Sequence, residues 1–470
     1  MQKVLSSRAL YEKRWSALFL LCTAQFMVIM DTSIIGVALP AIKSSLGYSQ
    51  SGLQWIFNAY VIFFGGLLLL GGKLSDLFGP RKVFISGFVI LTLASLVAGL
   101  AWSVGSLNVG RALQGLGSAL IAPAALTLLM SIFTDPKELN KALGFWGASA
   151  AAGGSAGVFL GGVITEWASW RWVFLINIPV GLLVLAYSKS YLISGNKAFG
   201  KVDWLGAIVA TLSLVLMVYA IVTAEGAGWT SFQTLGLLSI SVALLIVFII
   251  LQSSKRDPLL PLGIFKAPNL SPANLVMALL AAAWIPLWFF LNLYLQQVLN
   301  YSAFTSGLAL LPMTLAIMIL MVGFTSKFVQ RFGFKSNLVA GLFFLTISLI
   351  IFSNVPSNGN YLVHVLPASI LGAIGMSLAY IPGTIAAMSG AKPEQTGLAS
   401  GIVNTSYQIG SALGLAVIVV IAAAVTKSNI NDGAQNVEAL TNGFKTAFLS
   451  AAVVSGIAGL LAALFIKSPK

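Results

Sequence analysis

The chain has 470 residues, of which 58% are hydrophobic and only 8% charged, against about 25% charged in a soluble domain. That composition excludes a water-soluble globular fold, and the net charge of +14 is spread over alternate loops rather than gathered into a nucleic-acid-binding patch. One cysteine, Cys22, rules out an intrachain disulfide, and one histidine, His364, leaves no Cys/His cluster for a metal.

Apolar runs long enough to cross a bilayer core are predicted at 16–39, 52–72, 83–102, 105–131, 142–164, 172–193, 203–223, 234–252, 271–296, 305–325, 336–353, 363–388, 399–425 and 444–466. The first follows a basic stretch, as a signal peptide does. It is too long for a signal core and lacks a small-x-small cleavage site, so it is expected to remain as the first helix. Basic residues recur in alternate loops: Lys3 to Arg14, Lys73 with Arg81 and Lys82, Lys137 with Lys141, Lys197 with Lys201, Lys255 to Lys266, Lys327 to Lys335, Lys392, and Lys467 with Lys470. The intervening loops hold chiefly Lys43, Arg171 and Lys427. The positive-inside rule therefore places both termini in the cytoplasm, in agreement with an even number of spans.

A weak internal repeat divides the chain. Phe78-Gly-Pro-Arg-Lys-Val-Phe-Ile-Ser-Gly87 after the second span is echoed by Phe332-Gly-Phe-Lys-Ser-Asn-Leu-Val-Ala-Gly341 after the tenth. Gly117 to Pro123 in the fourth span resembles Gly375 to Pro382 in the twelfth. The expected organisation is a six-helix bundle over 1–193, an inserted helix pair with linkers over 194–270, and a second six-helix bundle over 271–470. Repeats of this kind mark alternating-access transporters.

Among these spans only two charged residues lie well inside, Asp31 and Arg111. An ionisable side chain at bilayer depth costs a few kcal/mol or more and normally faces a protein interior or a wet cavity. Asp31 is the expected proton site, because burial and a nearby cation act on a carboxyl in opposite senses. Arg111 is a fixed charge that cannot practically deprotonate. Gln114 stands one turn away on the same face. His364, near the end of a span, is expected to be a packing or interfacial residue.

Gly72-Lys-Leu-Ser-Asp76-Leu-Phe-Gly79-Pro-Arg81-Lys82 resembles the signature loop of the major facilitator superfamily. Its glycines permit a tight turn, and its acid and bases suit a cytoplasmic gate. Arg111-Ala-Leu-Gln114-Gly115 resembles the Arg-x-x-Gln-Gly motif of proton-coupled members. Asp31-Thr-Ser-Ile-Ile-Gly-Val-Ala-Leu-Pro40 and Ser169-Trp-Arg-Trp-Val-Phe-Leu-Ile-Asn-Ile-Pro-Val-Gly181 resemble stretches of the fourteen-helix drug:proton antiporters. Segments beginning at Asp257, Tyr301 and Gly397 fit the same family. Two departures stand out. Val158 follows Gly157 where the family's fifth span carries a proline, and spans 10 and 13 offer Thr314, Asn404 and Gln408 where exporters of dications place extra acids.

The resemblance implies an all-α polytopic fold of fourteen helices in a bacterial cytoplasmic membrane. It implies a monomer that exchanges small amphipathic substrates for protons, with no cofactor and no nucleic-acid partner. The expected substrate cavity draws on Met27, Met30, Asn58 and Tyr60, on the four-residue steps Trp284, Trp288, Asn292 and Gln296, and on Met376, Tyr380, Asn404 and Tyr407. Aromatic faces attract delocalised cations and methionine adapts to varied ligands. An exporter of one physiological metabolite or lipid is the alternative, since a fold does not fix its substrate. A membrane enzyme fits poorly, with no paired intramembrane acids and no nucleotide-binding loop. A passive channel fits poorly too, given two unlike halves and asymmetric charge.

Overall fold

The computed structural model describes residues 13–194, 201–390 and 395–468; Lys3, Arg8, Lys197, Lys392 and Lys470 of the basic loops lie outside them. The described residues form fourteen helices long and apolar enough to span a membrane. They are α1 (Arg14–Leu46), α2 (Gly52–Phe78), α3 (Pro80–Gly99), α4 (Val104–Ile132), α5 (Lys137–Trp167), α6 (Trp172–Tyr191) and α7 (Trp204–Ala224). The rest are α8 (Phe232–Ser254), α9 (Leu270–Val298), α10 (Ala303–Gly323), α11 (Lys327–Phe352), α12 (Tyr361–Met388), α13 (Leu398–Asn431) and α14 (Asn436–Phe465). Several outrun the apolar cores read from sequence, because amphipathic turns continue the backbone ladder beyond the hydrocarbon. α1 reaches Leu46 through a 3-10 turn at Gly36–Ala38, and α14 begins at Asn436, eight residues before its apolar run.

The internal repeat has a geometric counterpart. Gly79 joins α2 to α3 at φ 91°, ψ 136°, and Gly333 breaks α11 at φ 76°, ψ 164°, backbone that side chains rarely tolerate. Each turn is followed by a matching close approach. A Cβ at Gly117 would lie 2.8 Å from the Leu91 nitrogen and 2.9 Å from the Gly87 oxygen; one at Gly375 would lie 2.6 Å from the Leu345 nitrogen and 2.8 Å from the Gly341 oxygen. Small residues thus bring α3 against α4, and α11 against α12, to near backbone contact.

Two helix pairs join the first six helices to the last six, and they differ. α2 packs on α13, and α7 lies over that seam, touching both through a cluster of Ile62, Val218, Ile221, Ala412, Ala416 and Val420. α8 is held to α7 by reciprocal hydrogen bonds, Ser213 Oγ to the Ser241 carbonyl and Ser241 Oγ to the Ser213 carbonyl, both 2.8 Å; only 11% of its apolar stretch is buried.

The second seam joins α5 to α10. It is tight near Gly162, where a Cβ would meet the Ala303 oxygen at 2.8 Å, and near Gly307, where it would meet the Val158 oxygen at 2.9 Å. Five helical turns back from Gly162 on the same face, a Cβ at Gly144 meets no described atom within 4 Å, and the same holds at Gly147. The helices therefore part toward the ends carrying the basic loops. Val158, in place of the family proline, is buried inside a continuous helix, and Gly153, Gly157 and Gly161 still press that helix onto the α1 backbone.

Candidate functional site

The two isolated charges meet. Arg111 Nη1 donates to Asp31 Oδ2 at 2.6 Å, with both side chains sealed from solvent. Gln114 Nε2 donates to Asp31 Oδ1 at 3.0 Å, and Asn177 Nδ2 donates to the same oxygen at 2.6 Å. Every partner of the carboxylate is a donor, the pattern that an ionised acid requires. The network is ordered beyond the acid. Gln114 Oε1 accepts from Arg111 Nη1 at 2.8 Å, Gln114 Nε2 also donates to Ser95 Oγ at 2.9 Å, and Ser95 in turn donates to the Leu91 carbonyl at 2.7 Å. This directionality fixes which way the Gln114 amide points.

Arg111 is held from three sides. Its Nε donates to the Ile56 carbonyl of α2 at 2.9 Å, and its guanidinium lies 4.4 Å from the centre of the Tyr60 ring. Tyr60 is itself anchored by donating to Ser118 Oγ at 2.8 Å. Arg111 Nη2 and Asn177 Oδ1 have no hydrogen-bond partner among the described residues. Removing one member of such a buried charge pair costs about 3–5 kcal/mol, because the other charge stays behind without compensation. Five helices, α1, α2, α3, α4 and α6, thus contribute to one network, with α4 and α6 reaching the carboxylate itself.

Asn177 was not among the residues singled out from sequence. The signal lay in the stretch Trp170-Arg-Trp-Val-Phe-Leu-Ile-Asn-Ile-Pro179, an amide between apolar residues just ahead of a proline. The chain runs as helix from Trp172 to Tyr191, with Ile176 at φ -59°, ψ -25° and Pro179 in its early turns. The face of that helix turned toward α1 carries the Asn177 amide to Asp31.

The proposed cavity residues fall into two groups. Met27, Met30, Asn58 and Tyr60 are buried in this conformer: Met27 and Tyr60 belong to the apolar core of the first helices, and Asn58 donates to Gln54 Oε1 at 3.3 Å. Trp284, Asn292 and Met376 are also buried. Trp288, Gln296, Tyr380, Asn404 and Tyr407 are half-buried, with Trp284 edge-on to Trp288 at 6.3 Å and Tyr380 edge-on to Tyr407 at 5.3 Å. Thr314 is buried and bonds its own helix at the Leu311 carbonyl. Gln408 packs over Gly65 at the α2–α13 seam. His364 accepts from the Asn360 N–H through Nδ1 at 3.0 Å, at a helix start.

Among the described residues, hydrogen bonds between the two halves gather at one end of the molecule. Gln296 Nε2 donates to the Val37 carbonyl at 2.9 Å, Gln50 Nε2 to Gln297 Oε1 at 3.2 Å, and the Phe304 N–H to Glu166 Oε2 at 3.4 Å. There Asn292 fills the space over Gly36, and Trp167 lies against Phe304 at 4.9 Å. This is the end with few basic residues. At the opposite end Asp76 is exposed and makes no ion pair among the described residues. Arg81 Nη1 donates to the Leu192 carbonyl at 2.9 Å instead, Lys82 is exposed, and a Cβ at Gly72 would just touch Pro123 at 3.9 Å. Arg14 pairs with Glu138 at 2.8 Å, within the first half. One face is closed by hydrogen bonds between the two sets of helices; at the other, α5 and α10 part while α2 and α13 stay in contact near Leu69 and Gly401.

The sequence profile of the Major Facilitator Superfamily matches residues 21–415. The chain belongs to that family of transporters. It is 36% identical over 418 residues to the cephamycin export protein CmcT of Amycolatopsis lactamdurans, covering 88% of this chain and 86% of that protein. It is 33% identical over 465 residues to the puromycin resistance protein pur8 of Streptomyces alboniger, covering 97% and 92%. The crystal structure of the POT family transporter PepTSo shares the fold at a TM-score of 0.67 and 15% identity, over 95% of this chain and 98% of that one.

Proposed function

We propose that this transporter is a monomeric drug exporter of a bacterial cytoplasmic membrane, with both termini cytoplasmic, that expels small amphipathic compounds in exchange for protons by alternating access. The observation that carries the reading is the sealed network around Asp31: a titratable acid at bilayer depth, held by donors from α4 and α6, on the same helix as the closed gate. Val37, whose carbonyl accepts from Gln296, lies six residues beyond Asp31, about 9 Å along the helix. A proton on Asp31 removes the reason for Arg111, Gln114 and Asn177 to converge, so α1 is loosened near its gate contacts. Buried packing is bistable rather than continuously deformable, which turns a local charge change into rocking of one half against the other.

The half-buried residues of the expected cavity suit amphipathic ligands. Trp288, Tyr380 and Tyr407 supply aromatic surface, and Gln296 and Asn404 supply amides. The test is dye efflux by the purified protein in liposomes under an imposed pH gradient. Export that ignores a protonophore, or dye leak in both directions, sinks the proposal.

A narrower substrate range is the second reading. The two relatives reported above are each named for one antibiotic, which favours an exporter of a single compound or close series. A panel of structurally unrelated dyes and antibiotics separates the two, since only a multidrug exporter confers resistance across several of them.

A further inference from the structure

Four cations lie toward the basic-poor face, Lys43, Arg171, Lys427 and Lys445; Lys445 is half-buried within α14, and the first two are accounted for. Lys43 donates to Gln50 Oε1 at 2.5 Å, beside the closed gate. Arg171 donates to the Ala101 carbonyl at 3.0 Å and lies over the Trp170 ring at 4.4 Å. Lys427 has neither. It is exposed near the end of α13, with no ion pair or side-chain hydrogen bond among the described residues, although Asp432 follows in the next loop. It borders a cleft of about 390 Å³ where the end of α7 stands off from α13. The mouth is polar, with Lys427, Ser428 and Asn431; the floor is apolar, with Ala224 and Val420; Trp229 stands at the rim.

We infer that this cleft binds one net-anionic phospholipid from the leaflet facing away from the basic loops, which is the outer leaflet on the topology proposed above. The polar mouth and apolar floor run in the same sense as a lipid, head at the membrane surface and chains toward the centre. The phosphate is held by the Lys427 ammonium, with the Ser428 hydroxyl and Asn431 amide as donors. The acyl chains lie along the exposed Ala424, over the buried Ala224 and Val420, and the Trp229 indole sits at headgroup depth, where tryptophan is favoured. Val420 also belongs to the cluster that seats α7 across α2 and α13, so the lipid completes the contact between the inserted pair and the second half. It fills a gap that side chains leave open.

The test uses the purified full chain in mixed micelles, with dioleoylphosphatidylglycerol and dioleoylphosphatidylcholine in competition, and native mass spectrometry to count retained lipid. Wild type is expected to retain one phosphatidylglycerol more than Lys427→Gln, whose occupancy falls about fivefold, as expected for one basic residue at an anionic surface, while Lys427→Arg restores it. Amide hydrogen exchange supplies the location: phosphatidylglycerol should protect Gly228 to Phe232 in wild type but not in Lys427→Gln. Lys335→Gln, on the opposite face, should leave that protection unchanged. Equal retention by wild type and Lys427→Gln, equal affinity for the two lipids, or protection of Gly228 to Phe232 that survives Lys427→Gln would each overturn the site. None of these readouts depends on transport, so they stand apart from the test of drug export.

Discussion

Asp31 and Asn177 are 146 positions apart in the chain and 2.6 Å apart across the helix interface. The contact makes α6 part of the charge site, which the motifs of α1 and α4 alone do not suggest. Asn177→Ala removes one hydrogen bond to a buried charge, a loss of about 1.5–3 kcal/mol. Its expected phenotype is lowered thermal stability and efflux reduced at least tenfold at saturating dye, with dye affinity unchanged. Wild-type efflux by a stably inserted Asn177→Ala protein would show that the contact is packing only.

Asp31→Asn preserves shape and much of the hydrogen bonding but cannot titrate. It is expected to abolish uphill, gradient-driven export in liposomes while dye binding persists. Concentrative export by this variant would remove Asp31 as the obligatory proton carrier.

The gate on the basic-poor face predicts a conformational lock. In a Cys22→Ser background, Gln50→Cys with Gln297→Cys joined by a short bismaleimide should hold that face shut and stop transport. Each single variant treated in the same way should remain active. Undiminished transport after complete cross-linking would mean that these residues need not separate.

At the opposite end Asp76 is exposed and unpaired in this conformer, ready to form contacts when that face closes. Asp76→Asn is expected to lower the transport rate several-fold at normal membrane abundance. Transport at the wild-type rate would dispose of the gate role.

Asp203 predicts a pH dependence of stability. Burial pushes its carboxyl upward, but Lys255, Gln252 and the Gly206 N–H outweigh that and hold it below the usual carboxylate range. Its folded-state value is depressed, so its contribution is complete above the unfolded value near 4 and is lost as pH falls through the lower folded value. Melting temperature against pH should therefore decline at the acid end less steeply in Asp203→Asn than in wild type, with neutral-pH efflux largely retained. Parallel acid limbs would mean that the ion pair adds nothing to stability.

Much of this molecule was legible in sequence because the bilayer imposes few options. Spans are read from apolar length, since every backbone polar group in lipid must be satisfied within its own helix. The isolation of Asp31 and Arg111 pointed to a buried charge site for the same reason: charges at that depth need a partner. The half-repeat could be read because Phe78-Gly79 and Phe332-Gly333 serve turns whose backbone geometry favours glycine.

Tertiary structure decided the rest. Asn177 joins Asp31 only because α6 packs beside α1 with that face inward, a matter of packing that leaves no charge or periodicity in the sequence. The burial of Met27 and Tyr60, against the half-exposure of Tyr380 and Tyr407, depends on which face of each helix its neighbours cover and on which end of the molecule is closed. Composition fixes neither. The crossing of α7 over the α2–α13 seam is likewise a choice among lipid-compatible surfaces, made by small residues such as Gly66, where a Cβ would meet Thr211 Oγ1 at 2.8 Å. In hydrocarbon, apolarity alone does not say which helix meets which; shape does.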